Sequence, residues 1–137
     1  MDTLSKSQRS ERMSRVLSRD TKPELVIRRL VHSLGYRYRL NVKDLPGKPD
    51  LVFRKRRKVL FVHGCFWHRH DDCHLARMPK SRLDFWTPKL QKNKARDAVV
   101  RKQLKVDGWS ILIVWECEIS NIERVSLRIE RFLEEEK

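Results

Sequence analysis

Residues 63–74 read HGCFWHRHDDCH, and those twelve positions hold four of the chain's five histidines and two of its three cysteines. Thiolate and imidazole are the ligands of tetrahedral zinc sites, and imidazole is also the commonest general base. Phe66 and Trp67 sit between the polar groups. The fifth histidine, His32, lies in an ordinary amphipathic segment. Metal binding, catalysis and nucleic-acid contact all use residues of these types.

Cys65, His70 and Cys73 are spaced C-x4-H-x2-C after an apolar run that reads as a strand. Cys117 follows a second such run, in VWECEI. Neighbouring strands would bring these ends together, giving three thiolates and one imidazole, a set suited to structural Zn²⁺. The alternative is that Cys117 is a buried core thiol. His74 could replace His70, and Asp71 and Asp72 are weaker candidates. An odd cysteine count in a chain without a secretion signal argues against a disulfide framework. This cage leaves His63 and His68 without a role.

A second constellation includes Asp50, in LPGKPDLV, and His63. Asp50 opens the first arm of a predicted hairpin and His63 closes the second, so the antiparallel ladder brings them together. A carboxylate there, among basic residues, can coordinate Mg²⁺ beside a phosphate. Read alone, PGKPD is also a plain turn with a stabilising Asp.

The elements that must position these groups follow from patterning. Thr21 and Glu24 form a predicted capping box, Pro23 suits a first turn, and Gly35 stops the helix. YRYRLNV (36–42) alternates as a half-buried strand. DLVF and VLFVHG flank the charged tip RKRRK as a hairpin whose second arm is a central strand. A helix is expected from about Thr87–Pro88 to Gly108, a central strand over 109–116, and a last helix from about Ser120 to Glu135. The order α-β-β-β-α-β-α predicts an α/β domain with a mixed sheet and helices packed on it. Trp109 and Trp115, on a predicted strand, read as structural.

With 32 Lys and Arg against 18 Asp and Glu, the net charge is +14. A polyanion partner follows, and nucleic acid fits best in a chain with no apolar run near the ~18 residues of a membrane span. The N-terminus lacks the apolar core of a signal peptide, so a cytoplasmic location is expected. The chain of 137 residues is read as one domain, with 1–19 a basic arm that includes a short helix near SERMSRVL. Lys89, Asn93 and Arg96 repeat at helical spacing, facing either phosphates or solvent. RKRRK at the hairpin tip contacts DNA or simply discourages edge pairing.

Taken together, LPGKPDLVF, FVHGCFWHRHDDC, DFWTPKLQKNKARD and GWSILIVWECE resemble the very-short-patch repair (Vsr) DNA mismatch endonucleases, of the restriction-endonuclease-like superfamily. The likeness runs from about Ser10 to Cys117. It implies a restriction-endonuclease-like fold with a structural zinc site, in an enzyme that nicks one strand of duplex DNA 5′ to the thymine of a T:G mismatch. Such mismatches arise from deaminated 5-methylcytosine, which implies a functional link to a cytosine-5 DNA methyltransferase and to mismatch-repair proteins. A monomer suffices for a nick.

By the same resemblance Asp50 binds catalytic Mg²⁺ with the Val62 backbone carbonyl. His68 acts as general base, and His63 contacts the transition state or leaving group. Asp97 orients an imidazole, and Glu24 is a further active-site acid. Cys65, His70, Cys73 and Cys117 match the family's zinc ligands. Phe66 and Trp67, assisted by Trp86, match residues that enter the DNA stack, and Met13 matches one inserted from the opposite groove. Read without the resemblance, the two aromatics of the metal loop would be a small core beneath it. The pattern departs from the family at Val62, where threonine is typical, and at Arg69, which replaces a histidine; the loop before Cys73 is one residue longer. Two other readings compete: a related nuclease that cuts both strands, and a zinc-stabilised DNA-binding module without activity.

Overall fold

The computed structural model describes residues 21–78 and 80–135. Met13 and the predicted N-terminal arm, with its short helix, lie outside the described residues. Helix α1 spans Lys22–Ser33. Thr21 caps it by accepting the Glu24 N–H at 3.5 Å, and Gly35, at φ 96°, follows its end. Only this half of the predicted capping box forms. The Glu24 carboxylate instead accepts from Arg28, one turn on, at 3.3 Å.

Strand β1 (Leu51–Phe53) runs antiparallel to β2 (Lys58–His63), with Leu51 opposite Leu60. β2 is central and pairs in parallel with β3 (Ser110–Trp115), placing His63 beside Trp115. The parallel pairing needs a crossover, and helix α2 (Leu83–Val106) supplies it. A turn of 3-10 helix, Glu116–Asn121, leads from β3 into α3, Ile122–Glu134.

Side chains alternate across the sheet, so each strand feeds two cores. Leu51, Phe53, Leu60, Val62 and Val114 meet Ile27 and Val31 of α1 and Val125, Ile129 and Leu133 of α3. On the other face Val52, Val59 and Phe61 meet Leu104 of α2 and Trp109. This covering of both faces explains why β2 is buried along its whole length. Truncating a fully buried residue such as Leu60 to Ala would cost about 2–5 kcal/mol.

One predicted strand does not form and one predicted boundary shifts. YRYRLNV is not a strand: a single bridge, Arg39 to Val52, is all that pairs, and Asn41 turns the chain out at φ 56°. Its alternation instead reflects Tyr36 and Tyr38 packing on the core, with the Tyr38 hydroxyl donating to the Arg28 carbonyl at 3.0 Å. Helix α2 starts at Leu83, ahead of the expected Thr87–Pro88, so Pro88 lies inside it. Proline offers no N–H to the Asp84 carbonyl, so α2 lacks that intrahelical bond in its second turn.

The basic hairpin tip has an unexpected use. Arg56 donates to the Leu133 carbonyl at 2.8 Å, and buried Lys58 donates to the carbonyls of Phe132 and Glu135. Arg57 donates to the Asp107 carbonyl at 2.6 Å and lies over Trp109. Cations thus satisfy the terminal carbonyls of α3 and α2, where the helix dipole favours them. Arg54 pairs with Asp44 at 3.0 Å. Among the described residues no helix is long and apolar enough to cross a membrane.

Candidate active site and metal centre

Two constellations occupy the C-terminal end of β2, one on either side of the turn that begins at Gly64. In the first, the donor atoms of Cys65, His70, Cys73 and Cys117 all lie within 4.8 Å of one another. Cys117 Sγ and His70 Nδ1 are 3.5 Å apart. A tetrahedral ion with bonds of ~2.3 Å to sulfur and ~2.05 Å to nitrogen would set such donors about 3.6 Å apart, so the set fits a zinc ion. Burial pushes the Cys65 thiol up to about 12, an environment in which a thiolate needs a cation beside it. His74, Asp71 and Asp72 are not part of the group. The loop is tied into this form by backbone bonds, His68 N–H to the Gly64 carbonyl at 3.1 Å and His70 N–H to that of Cys65 at 3.0 Å.

The second constellation opens into a cleft of about 600 Å³ that Glu24, Asp50, Val62, His63 and His68 help to line. Asp50 stands just before β1, where Pro49 cannot donate to the ladder. Its Oδ2 accepts the Val62 N–H at 2.6 Å, while the missing donor at Pro49 leaves the facing strand's carbonyl without a ladder partner there. Burial, with a further contribution from nearby Glu24, raises the Asp50 carboxyl to about 7 against the opposing Val62 hydrogen bond. Two acids crowded in a half-dry cleft are a natural cation site.

His63 and His68 stack face to face, with centroids 3.8 Å apart and planes within 7°. His68 Nδ1 meets Asp97 Oδ2 of α2 at 2.6 Å. Burial and the neighbouring His68 hold His63 neutral, at about 3. Its buried Nδ1 has no hydrogen-bond partner among the described residues. A carboxylate-held imidazole beside a neutral one is suited to moving a proton from water.

The family described as DNA mismatch endonuclease Vsr matches residues 1–75 of the chain. The DNA mismatch endonuclease Vsr of Escherichia coli is 39% identical over 125 residues, covering 91% of this chain and 80% of that protein. This chain belongs to the Vsr family.

Two other relatives are named type II nicking enzymes. V.XorIIP of Xanthomonas oryzae is 49% identical over 133 residues, 97% of each chain. V.NmeAIP of Neisseria meningitidis is 40% identical over 136 residues, 99% of this chain and 96% of its own. The catalytic domain of homing endonuclease I-Bth0305I superposes with a TM-score of 0.51 at 15% identity, over 82% of this chain and 94% of that one. That likeness shows the fold, and it agrees with the restriction-endonuclease-like mixed α/β architecture expected from the motifs. The Vsr-family chain is thus an endonuclease by descent.

Most of its predicted site residues meet in the one cleft. Phe66, Trp67, Asn93, Arg96 and Asp97 line it together with the acids and histidines. Trp86 stands behind, edge-on to Phe66 at 5.4 Å and to Trp67 at 5.5 Å. Lys89 does not line the cleft, and its ammonium lies 4.8 Å over the Phe85 ring. Four residues were missed by sequence reasoning. Glu116 accepts the Cys65 N–H at 2.9 Å and also faces the cleft, coupling the two constellations. Its place beside Cys117 was the available signal. Trp115, read as structural, stacks on His70 at 4.1 Å and meets His63 edge-on at 5.2 Å, forming a wall between them. Lys48 and Arg101 also line the cleft. Arg101 follows Asp97 by one helical turn, a spacing that could have found it.

Proposed function

We propose that this Vsr-family endonuclease is Mg²⁺-dependent and nicks one strand of duplex DNA 5′ to the thymine of a T:G mismatch. The observation that carries the reading is the convergence of the Asp50–Val62 pair and the His68–Asp97 pair on one cleft. The names of the relatives, a DNA mismatch endonuclease and nicking enzymes, agree with it.

Asp50 and the Val62 carbonyl would hold Mg²⁺. In an extended strand a residue's own N–H and C=O point to the same edge, so the Val62 carbonyl faces the side on which Asp50 takes the N–H. A cation held there would supply Lewis-acid stabilisation of charge on the scissile phosphate. Asp97 accepts from His68 Nδ1, which leaves Nε2 free to take a proton from the attacking water. The oxygen of that water bonds to phosphorus as the bond to the leaving sugar oxygen breaks. Neutral His63, stacked on His68, contacts the transferring phosphoryl group. Glu24 assists Asp50 at the cation. Asn93, Arg96 and Lys89 face phosphates.

Cys65, His70, Cys73 and Cys117 hold structural Zn²⁺ and so fix the loop that carries Phe66 and Trp67. With Trp86 behind them, these rings form a wedge that enters the stack beside the mismatch. A mismatched step unstacks more readily than a paired one, and stacking on an aromatic ring returns roughly 1–3 kcal/mol per base. The chain is one nuclease domain that acts as a monomer in the cytoplasm on nucleoid DNA. Its basic arm over 1–19, Met13 included, contacts DNA, and it works downstream of a cytosine-5 methyltransferase and beside mismatch repair.

The test is cleavage of end-labelled duplexes, T:G or fully paired, with and without Mg²⁺. A single nick in the thymine strand of the mismatched duplex, only with Mg²⁺, is expected. Cutting of both strands, or equal cutting of paired DNA, would overturn the reading.

A further inference from the structure

The segment before Asp50 is strained in a way that the mechanism above does not use. Gly47 and Lys48 both lie in the left-handed region, at φ 72° and 48°. A residue before proline normally favours an extended backbone, and a non-glycine residue at positive φ is uncommon outside sites that over-determine it. At Gly47 the chain makes a close approach. A Cβ added at Gly47 would stand 2.4 Å from a methyl of Val100, so the loop backbone rests directly on α2. Only glycine permits that contact.

The contact has a consequence for charge. Val100 adjoins Arg101 along α2, and Gly47 adjoins Lys48, so two cations flank this packing contact in sequence at the cleft. Both line it. Arg101 is near enough to His63 for its charge to disfavour protonation of that ring. Among the described residues neither Lys48 nor Arg101 is paired with a carboxylate. The cleft holds the carboxylates of Asp50 and of Glu24, the latter paired with Arg28 at 3.3 Å, and cations at its edge favour the approach of a polyanion.

We propose that Lys48 and Arg101 form a two-cation clamp on phosphates of the cut strand, its width set by the contact between Gly47 and Val100. The clamp rests on the reading of the cleft as a nuclease site. It grips the DNA backbone on either side of the loop–helix contact and holds the scissile phosphate over Asp50 and the two histidines. Its ligand is the phosphodiester, so it adds affinity and register without reading sequence.

The test is the salt dependence of binding to a T:G duplex, followed by fluorescence anisotropy with Mg²⁺ omitted so that nothing is cut. Each neutralised phosphate contributes roughly 0.9 to the slope of log K against log salt. Lys48→Ala and Arg101→Ala are each expected to lower the slope by about 1, and the double variant by about 2. The affinity gap between wild type and either single variant then shrinks roughly 3–4-fold from 50 to 200 mM salt. Lys48→Arg, which keeps the charge, is expected to retain the wild-type slope. Gly47→Ala keeps both charges but pushes the loop off Val100, and it is expected to lower the slope as well. A double variant with an unchanged slope, or with the loss of one contact only, would overturn the clamp. If the wild-type protein binds with these slopes yet fails to nick once Mg²⁺ is added, the nuclease reading falls and the two cations are left as phosphate contacts only.

Discussion

The candidate metal cage and the candidate catalytic cleft share one turn of chain, yet they are built by opposite strategies. The cage draws three of its four donors from nine consecutive residues, Cys65 to Cys73, and the fourth from the end of the adjoining strand. The cleft gathers Glu24 from α1, Asp50 from the start of β1, His63 and His68 from the end of β2 and the following loop, and Asp97 from α2. A cage of this kind is local and tolerates little ambiguity. A cleft of this kind exists only once both layers of helix have docked on the sheet. The difference teaches which site stabilises and which is stabilised: ligation can order the loop, whereas the acids of the cleft are held in place against their own repulsion.

The sharpest way to break this division is Asp50→Ala. The cleft would lose its central carboxylate while the cage would not be touched, because Asp50 belongs to no part of the sulfur set. Nicking is expected to fall by about 10³-fold or more, the scale of several kcal/mol of lost metal-assisted stabilisation. Zinc content, measured by atomic absorption, and DNA affinity are expected to stay near wild type. Loss of zinc with Asp50 would show that the two sites are not separable.

Cys73→Ser probes the reverse direction. Removing one thiolate from a structural zinc site weakens metal and fold together. Lower zinc occupancy is expected, with a melting temperature down by roughly 5–10 °C for a chain of this size if about 2–3 kcal/mol is lost. Nicking should fall too, since His68 and the wedge hang from the same loop. A variant with normal zinc content would remove Cys73 from the ligand set.

The same contrast explains what was legible in the sequence. The candidate cage was largely legible from spacing, which left open only the choice between His70 and His74 and the part of Cys117, because its donors are rare residue types and most fall in a short interval. Asp50 and His63 could be paired from hairpin geometry, since an antiparallel register ties one strand's start to the other's end. Asp97 and Glu24 became visible only through likeness to a family, because nothing in a helical carboxylate reveals which neighbour it will face. Lys48 and Arg101 stayed hidden for the same reason: both line the cleft beside the seat of Gly47 on Val100, a contact between residues far apart in sequence. The tyrosines at 36 and 38 misled because period-two alternation marks any extended segment lying on a core, paired or not. RKRRK concealed its role as a helix cap because the carbonyls it meets belong to the ends of α2 and α3.

The smallest expected effect concerns stability, and it separates a cleft held for function from one held for folding. Burial, followed by the nearness of Glu24, raises the Asp50 carboxyl from an ordinary 3.8 to about 7. Between those two values the native chain holds a proton that the unfolded chain has released, so stability falls as pH rises through that window and stays lower above it. Asp50→Asn keeps an oxygen that can accept the Val62 N–H but cannot ionise. In zinc-replete buffer without Mg²⁺ the variant is expected to match wild type near pH 4 and to exceed it by about 1–2 kcal/mol at pH 8, well below the full linkage value because water and ions reach an open cleft. Adding Mg²⁺ should close the gap by binding only the wild-type carboxylate. Thermal melts across pH provide the measurement. An asparagine variant less stable than wild type at pH 8 without Mg²⁺ would mean that the ionised carboxylate supports the fold, and the cleft would then be a structural feature of the same kind as the cage.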